Sequence, residues 1–161
     1  MEASDMSLID ELENVTHLFL DTSPLIYYVE RNPLYFSIVK PIFDYIDNGT
    51  ITAVTSPITL AECLVGVYRL GLTQSQKDFF DLIVYGNNIV FVPIDHDQAQ
   101  KAGQIRAKYN LTLTDAFQFA TALSTGCEVF LTNDITLKRV TEIHVLVLDD
   151  MIINSMNVER S

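Results

Sequence analysis

Four acidic residues are the clearest candidates for chemistry, because each lies where an apolar, strand-like segment ends or where a helical pattern beside it begins. Asp21 follows the segment HLFL, and Asp134 follows EVFLT after one intervening residue. Glu62 lies in the helical pattern after ITAVT, and Asp115 begins the helical pattern that leads to EVFLT. Ligands of open α/β sheets bind beyond the carboxyl ends of the strands. We therefore expect the four carboxylates to point into one crevice.

Four carboxylates in one crevice repel one another unless protons or a cation neutralise them. Mg²⁺ and Mn²⁺ are hard cations that match oxygen ligands. One such ion lowers the pKa of an attacking water and a second stabilises the leaving oxygen, which suits hydrolysis of a phosphodiester. We expect one or two ions, and the ligands, which are also the catalytic residues, are predicted to be Asp21, Glu62, Asp115 and Asp134. Thr132 and Asn133 are predicted to hydrogen-bond to the carboxylates or to metal-bound water.

Each acid also has a purely structural explanation. Asp21 and Asp134 can end a strand or cap a helix, as Asp often does. Asp115 falls in the first turn of a helix, where the helix dipole favours an acid. Glu62 is different, because its surroundings in TLAECLVG are apolar and an unpaired buried acid is costly. The combination of four acids in this order is more specific than any one of them.

The elements that must position these acids alternate along the chain. Strands are predicted at 17–20, 51–55, 89–94, 128–132 and 144–149, with helical patterns in between. Ser23, followed by Pro24, is predicted to cap the helix after the first strand. Continuously apolar strands that alternate with helices are typical of a parallel sheet covered on both faces. The predicted fold class is therefore α/β, a single-domain α/β/α sandwich with a central parallel sheet of about five strands.

Composition limits the function further. Hydrophobic residues make up 48% and charged residues 19% of the 161 residues, which is a globular composition of single-domain size. No apolar run approaches the roughly 18 residues of a membrane span, and the acidic N-terminal segment lacks the basic start of a secretory signal. We expect a cytoplasmic protein without membrane contact. Cys63 and Cys127 are most simply structural thiols, because a zinc site needs more ligands.

The net charge of −11 argues against broad, non-specific binding of nucleic acid, which is usually the work of basic proteins. It is compatible with an enzyme that holds a phosphodiester through metal ions, because the metals supply the positive charge. Five of the acids lie in residues 1–16, a segment without Lys or Arg that is predicted to form a short amphipathic helix.

Four segments of the chain resemble the PIN domain family of metal-dependent nucleases, and more narrowly the toxins of VapBC-type toxin–antitoxin pairs. The segments are FLDTSPLIYYVE, TSPITLAECLVG, LTLTDAFQFATALSTG and FLTNDITLKRV. The resemblance implies a PIN-like nuclease domain at 17–149, an acidic N-terminal extension at 1–16 and a C-terminal tail at 150–161. Asp21, Glu62, Asp115 and Asp134 then form the acidic quartet of the family, and Asp21 and Asp115 anchor the main ion.

The resemblance also implies what the protein acts on and binds. It implies Mg²⁺- or Mn²⁺-dependent endonucleolytic cleavage of RNA, and an antitoxin protein whose tail occupies the acidic pocket. It implies a homodimer, which the surplus of apolar residues in the second to fourth predicted helices also favours. Contacts to RNA are expected from a few bases, of which Arg31, Lys138 and Arg139 are candidates, although solvated surface explains them equally well.

Two other functions are compatible with parts of the pattern. A catalytically inactive PIN-like module that acts through protein contacts is one alternative, but the intact set of four acids weighs against it. A receiver-type domain, phosphorylated on Asp beside a Mg²⁺ ion, is the other. That class has a Lys at the end of the last strand, whereas HVLVLDD ends in acids. Metal-dependent cleavage of RNA separates the nuclease from both.

Overall fold

The computed structural model describes residues 8–152. Its strands are β1 (His17–Leu20), β2 (Thr52–Thr55), β3 (Ile89–Phe91), β4 (Val129–Thr132) and β5 (His144–Val147). Its helices are α1 (Leu8–Glu11), α2 (Thr22–Val29), α3 (Phe36–Asp47), α4 (Pro57–Leu70), α5 (Thr73–Tyr85), α6 (His96–Tyr109) and α7 (Leu113–Ser124). A 3₁₀ helix covers Ile135–Arg139, and residues 148–152 are helical. The predicted α/β fold is confirmed.

The five strands form one parallel sheet in the order β3-β2-β1-β4-β5. Phe19 in the central strand β1 lies opposite Val54 of β2 on one side and Phe130 of β4 on the other. The chain first builds outward from β1 to β3 and then returns to place β4 on the other side of β1. The winding direction therefore changes between β1 and β4, and in doubly wound sheets ligands bind at that point.

Side chains of the strands alternate between two cores, as strand geometry requires. Leu18 and Leu20 face the core formed with α1 to α5. Phe19 and Phe130 face the core formed with α6 and α7. The helices therefore form two layers with the sheet between them, which is the predicted three-layer sandwich.

The short helix α1 belongs to this packing. Leu8 and, just beyond the helix, Leu12 are buried in the core that contains α3. The part of the predicted amphipathic helix at 1–16 that the structure describes is therefore packed onto the domain. The start of the predicted extension, at 1–7, and most of the predicted C-terminal tail, at 153–161, lie outside the described residues.

Helix starts follow ordinary capping chemistry, with one correction. Ser56 caps α4 with Pro57 in its first turn, as its sequence indicates. The prediction that Ser23 caps α2 is wrong, because the helix begins at Thr22 and Asp21 occupies the N-cap position. Pro24 is tolerated within the first turn because the first amides of a helix have no partner inside the helix, so no hydrogen bond is lost.

No helix within residues 8–152 is long and apolar enough to cross a membrane. The two cysteines, Cys63 and Cys127, are buried and unpaired, one in each core.

Replacement of Phe130 by Ala tests the packing of the sheet against α7. The Phe130 ring stacks on Phe19 and Phe119, with ring centroids 5.0 and 4.0 Å apart. We expect Phe130→Ala to lower the free energy of unfolding by about 3–5 kcal/mol, because it leaves a cavity between buried rings. Leu34, which is 58% exposed and lies outside α4 and α5, is the control, and its replacement by Ala should cost about 0.5 kcal/mol. Similar losses for the two variants in urea titrations would contradict this packing.

Candidate functional site

Asp21 is positioned by the pairing of β1 with β4 at the switch point of the sheet. Its backbone N–H donates to the carbonyl oxygen of Leu131 at 3.0 Å, which extends the pairing one residue beyond β1. Its side chain is buried, with 9% exposure. The Thr132 hydroxyl donates to Asp21 Oδ2 at 2.7 Å and accepts the backbone N–H of Asp134 at 3.1 Å. One hydroxyl therefore ties the first acid to the segment that carries the last acid.

Asp134 is exposed and caps the 3₁₀ helix that follows β4. Its Oδ1 atom accepts the Thr136 backbone N–H at 3.0 Å and the Thr136 hydroxyl at 2.6 Å. The structural explanation from the sequence thus applies to Asp134. It does not exclude a ligand role, because both contacts use one oxygen and a carboxylate has further lone pairs on the other.

Glu62 approaches Asp21 through the neighbouring residue. The Thr22 hydroxyl donates to Glu62 Oε2 at 3.2 Å, which links α4 to the exit of β1. The expectation that Glu62 lies in apolar surroundings is wrong. Glu62 is exposed, whereas the next residue, Cys63, and Val67 one turn further face the core. The apolar neighbours in the sequence project to a different side of the helix.

Asp115 lies in the first turn of α7 and is half-buried. Its backbone N–H donates to the hydroxyl of Thr112, the N-cap residue, at 3.2 Å. This bond fixes the start of the helix from which the Asp115 side chain projects. An acid in this turn is favoured by the helix dipole.

Electrostatic interactions show that the four acids share one neighbourhood. Burial is the largest cause that raises the pKa of the Asp21 carboxyl group, to about 6. Hydrogen bonds from Thr132 and Thr22 oppose this rise, and repulsion by Asp115 and Glu62 adds to it. Much of the Glu62 side chain is exposed, but the protein around its carboxyl group excludes enough water to raise its pKa. The Thr22 hydrogen bond opposes this rise, and the charge of Asp115 adds to it.

Asp115 is the member that interacts with all the others. Its charge acts on Asp21 and on Glu62, and the charge of Asp134 acts on Asp115. Burial is the main cause that raises the pKa of Asp115, while the Thr112 hydroxyl and the charge of Arg139 oppose the rise. The fold thus brings together acids that are far apart in sequence. Asp21 and Asp134, for example, are separated by 113 positions.

The donor set fits a hard divalent cation that is only partly enclosed by protein. Within residues 8–152 no three His, Cys, Asp or Glu side chains form a ready-made set of metal ligands. Mg²⁺ does not need such a cage, since it is commonly held by one or two carboxylates and keeps several waters. A cation among these acids would also remove the repulsion that disfavours their charged forms. The four acids are therefore compatible with Mg²⁺ or Mn²⁺.

Asn133 makes contacts that the sequence did not indicate. Its Nδ2 donates to the Tyr27 hydroxyl at 2.9 Å, and its Oδ1 accepts the backbone N–H of Asp149 at 2.9 Å. The Asp149 carboxylate in turn accepts a hydrogen bond from the Tyr35 hydroxyl. Both ends of the Asn133 amide are therefore engaged with residues other than the four acids. The amide therefore connects the turn after β4 to α2 and to the helical segment at 148–152.

Neither the two cysteines nor the largest described recess adds a reactive group to this site. Burial raises the pKa of the Cys127 thiol to about 11 and also raises that of Cys63, so both thiols are protonated at neutral pH and neither is an activated nucleophile. A cavity of about 540 Å³ lies at the opposite, amino-terminal edge of the sheet. Its lining includes Leu12, Val15 and Ile51 and none of the four acids.

With this fold and site, the chain belongs to the PIN domain family, whose family model matches residues 18–143. A search among curated protein sequences gives no significant match. The likeness to solved structures is much clearer than the likeness in sequence.

Three solved structures illustrate the shared fold. VapBC2 from Rickettsia felis, bound to a DNA fragment from its promoter, has a TM-score of 0.63 and 16% identity over 82% of this chain and 98% of that chain. VapC20 from Mycobacterium tuberculosis, a toxin that cleaves the sarcin–ricin loop, has a TM-score of 0.60 and 15% identity over 70% of this chain and 86% of that chain. A toxin–antitoxin complex from Klebsiella pneumoniae has a TM-score of 0.61 and 21% identity over 81% of this chain and 97% of that chain. At identities this low, the TM-scores show a common fold and no more.

Replacement of Asp21 by Asn is expected to stabilise the metal-free protein at neutral pH. The folded state binds the Asp21 proton more tightly than the unfolded chain does, with a pKa of about 6 against 3.8. Stability is therefore lost as the pH rises between these values, by about 3 kcal/mol for a difference of about two units. Asp21→Asn keeps an acceptor for Thr132 and removes this loss.

The measurement is the free energy of unfolding in urea between pH 4 and pH 8 with a chelator present. The advantage of Asp21→Asn should be largest near pH 7.5 and vanish near pH 4. Asp97→Asn, at a carboxylate that is 80% exposed, should show no such dependence. A variant Asp21→Asn that is less stable than the wild type at pH 7.5 would contradict the account.

Proposed function

We propose that this PIN domain is a divalent-metal-dependent endoribonuclease that hydrolyses RNA phosphodiester bonds and is the toxin of a toxin–antitoxin pair. The observation that carries the proposal is the placement of Asp21 and Glu62 at the switch point of a PIN fold, held by the Thr132 and Thr22 hydroxyls at the exit of β1, where the charge of Asp115 acts on both. We assign the nuclease domain to residues 17–149. The acidic extension at 1–16 and the tail at 150–161 flank it.

The residues that would hold one or two Mg²⁺ or Mn²⁺ ions are Asp21, Glu62, Asp115 and Asp134. A bound ion would supply positive charge at a phosphodiester and lower the pKa of a water. The chain itself orients the ligands. The Thr132 hydroxyl directs Asp21, the Thr22 hydroxyl directs Glu62, and the cap at Thr136 fixes Asp134.

Arg139 is the strongest candidate for contact with a substrate phosphate. Its charge acts on Asp115, and its guanidinium donates to the carbonyl oxygen of Asn110 at 3.3 Å. The other two bases considered from the sequence have different partners. Lys138 pairs with Asp150, and the Arg31 guanidinium lies 5.4 Å from the centroid of the Phe36 ring.

The structural neighbours support RNA as the substrate and a protein as the partner. One neighbour is a toxin that cleaves the sarcin–ricin loop, and others are toxin–antitoxin complexes. We infer an antitoxin whose tail occupies the acidic pocket, where basic residues of the tail would neutralise the four acids. We also infer a cytoplasmic homodimer. Apolar side chains exposed on α4 and α5, including Tyr68 and Phe80, support a protein contact there.

A second candidate is a catalytically inactive PIN-like module that binds proteins. It is favoured by the lack of a ready-made set of three ligands in the described part of the chain. Four intact acids favour the nuclease instead. Metal binding and RNA cleavage separate the two functions.

Metal binding should raise the melting temperature of the wild type. An ion that binds only the folded state at 100 times its Kd stabilises it by about 2.7 kcal/mol. We expect millimolar Mn²⁺ or Mg²⁺ to give a clear upward shift in differential scanning fluorimetry, and Asp115→Asn to lose most of it. Asp97→Asn should keep the full shift. No shift for the wild type would leave the inactive module as the better explanation.

RNA cleavage should depend on metal and on Asp21. We expect the wild type and Asp97→Asn to cut an RNA hairpin of sarcin–ricin type, or total transfer RNA, in Mn²⁺ and to be inactive with a chelator. Asp21→Asn should lose at least about 100-fold in rate, because a charged group that contacts the reacting centre is removed. Since this variant is expected to be the more stable protein, unfolding would not explain its loss. Equal cleavage by Asp21→Asn would indicate a contaminating nuclease, and cleavage without metal would contradict the mechanism.

A further inference from the structure

Glu62 and Asp115 belong to helices on opposite sides of the sheet. α4 packs through Cys63 and Val67 into the core that contains Leu18. α7 packs through Phe119 into the core that contains Phe130. The two helices therefore share no core, and neither core by itself fixes the distance between the two acids. A contact that passes from one layer to the other is required.

Three buried polar side chains make such a contact, and we call Ser56, Thr59 and Gln118 the clamp. The Ser56 hydroxyl donates to Gln118 Oε1 at 2.5 Å, and Gln118 Nε2 donates to the Thr59 hydroxyl at 2.6 Å. Ser56 and Thr59 are 0% exposed and Gln118 is 1% exposed. Ser56 also accepts the backbone N–H groups of Ile58 and Thr59 as the cap of α4. The clamp thus joins the start of α4 to α7.

The clamp lies one helical turn from each acid. Thr59 precedes Glu62 by three residues on α4, and Gln118 follows Asp115 by three residues on α7. Residues three apart are neighbours on one side of a helix. We propose that Gln118 is a positioning residue that, through Ser56 and Thr59, sets the separation of Glu62 and Asp115 and thereby the affinity of the site for a divalent ion. This inference rests on the proposed metal-dependent function.

Hydrogen bonds suit this role better than apolar packing would. They have narrow limits on length and angle, whereas apolar contact is not directional. A buried donor or acceptor without a partner is costly, so an arrangement that separates Gln118 from Thr59 is disfavoured. Replacement of either residue by an apolar one of similar size would keep the packing volume, lower stability through the partner that is left unpaired, and release the two helices from each other.

The test is Mn²⁺ affinity, measured by calorimetry or electron paramagnetic resonance on the full chain. Gln118→Met keeps the length of the side chain and removes both hydrogen bonds, and we expect its Kd for Mn²⁺ to rise about 10-fold. Thr59→Val removes one of the bonds and should also raise the Kd. The double variant should bind no more weakly than Gln118→Met alone, because the two residues act through one contact.

Thr121→Val is the matched control. Thr121 is buried on the same helix, one turn beyond Gln118, and its hydroxyl donates to Phe117 in its own helix rather than to α4. We expect this variant to lose stability but to keep the Kd of the wild type. If Gln118→Met does not fold, as judged by circular dichroism, Thr59→Val carries the same test.

The outcomes separate this inference from the function on which it rests. A wild type that does not bind Mn²⁺ would overturn the proposed function and this role together. A wild type that binds Mn²⁺, with clamp variants of equal affinity, would overturn the positioning role alone. An equal loss of affinity in Thr121→Val would also overturn it, because the effect would then follow from general destabilisation.

Discussion

Burial of the Asp21 carboxyl group beside Asp115 and Glu62 is the interaction on which the rest of the site depends. Burial and repulsion both disfavour the charged form, so the folded protein holds the proton to a pKa of about 6. The hydrogen bonds from Thr132 and Thr22 offset only part of this cost, since the pKa of Asp21 remains raised. A cation that binds at this edge of the sheet would relieve both effects. Relief of this cost would add to the attraction between the cation and the carboxylates.

The fold explains how acids distant in sequence come to interact. The order β3-β2-β1-β4-β5 places the ends of β1 and β4 side by side, which brings Asp21 to Thr132 and to the segment of Asp134. The other two acids come from one helix in each layer. In a chain of net charge −11, few bases are available to neutralise them, and Arg139 is the base whose charge acts on Asp115. Metal ions are the natural source of the remaining positive charge.

Much of the fold could be predicted from the sequence because the signals are local. Continuously apolar strands and capped helices depend on residues close together in the chain, and the predicted parallel sheet of five strands is confirmed. Two predicted strand ends are wrong, because β3 ends at Phe91 and β5 ends at Val147, where a helical segment begins. The predicted start of α2 is wrong because the first turn of a helix tolerates Pro at more than one position. Pro24 is the third residue of α2 rather than the first. The role of the four acids as ligands stays a prediction, although the structure shows that they interact.

The contacts that could not be predicted join distant residues. Asn133 donates to Tyr27, 106 positions away, a contact that no local pattern indicates, and its role beside the carboxylates or metal-bound water stays a prediction. Gln118 contacts Ser56 and Thr59 from 62 and 59 positions away, and a single Gln in an apolar helix gives no signal of this. The side of α4 on which Glu62 lies depends on which of its residues face the core. Because most of the residues around Glu62 are apolar, the sequence does not indicate which of them do.

Whether the four acids bind a metal ion is tested most directly by a crystal structure of the protein grown with Mn²⁺, with anomalous diffraction recorded at the manganese absorption edge. We expect one or two anomalous peaks beyond the carboxyl ends of β1 and β4, with Asp21 and Asp115 as direct ligands of the main ion. Manganese bound only elsewhere, or no peak beside these side chains in saturating metal, would contradict the account.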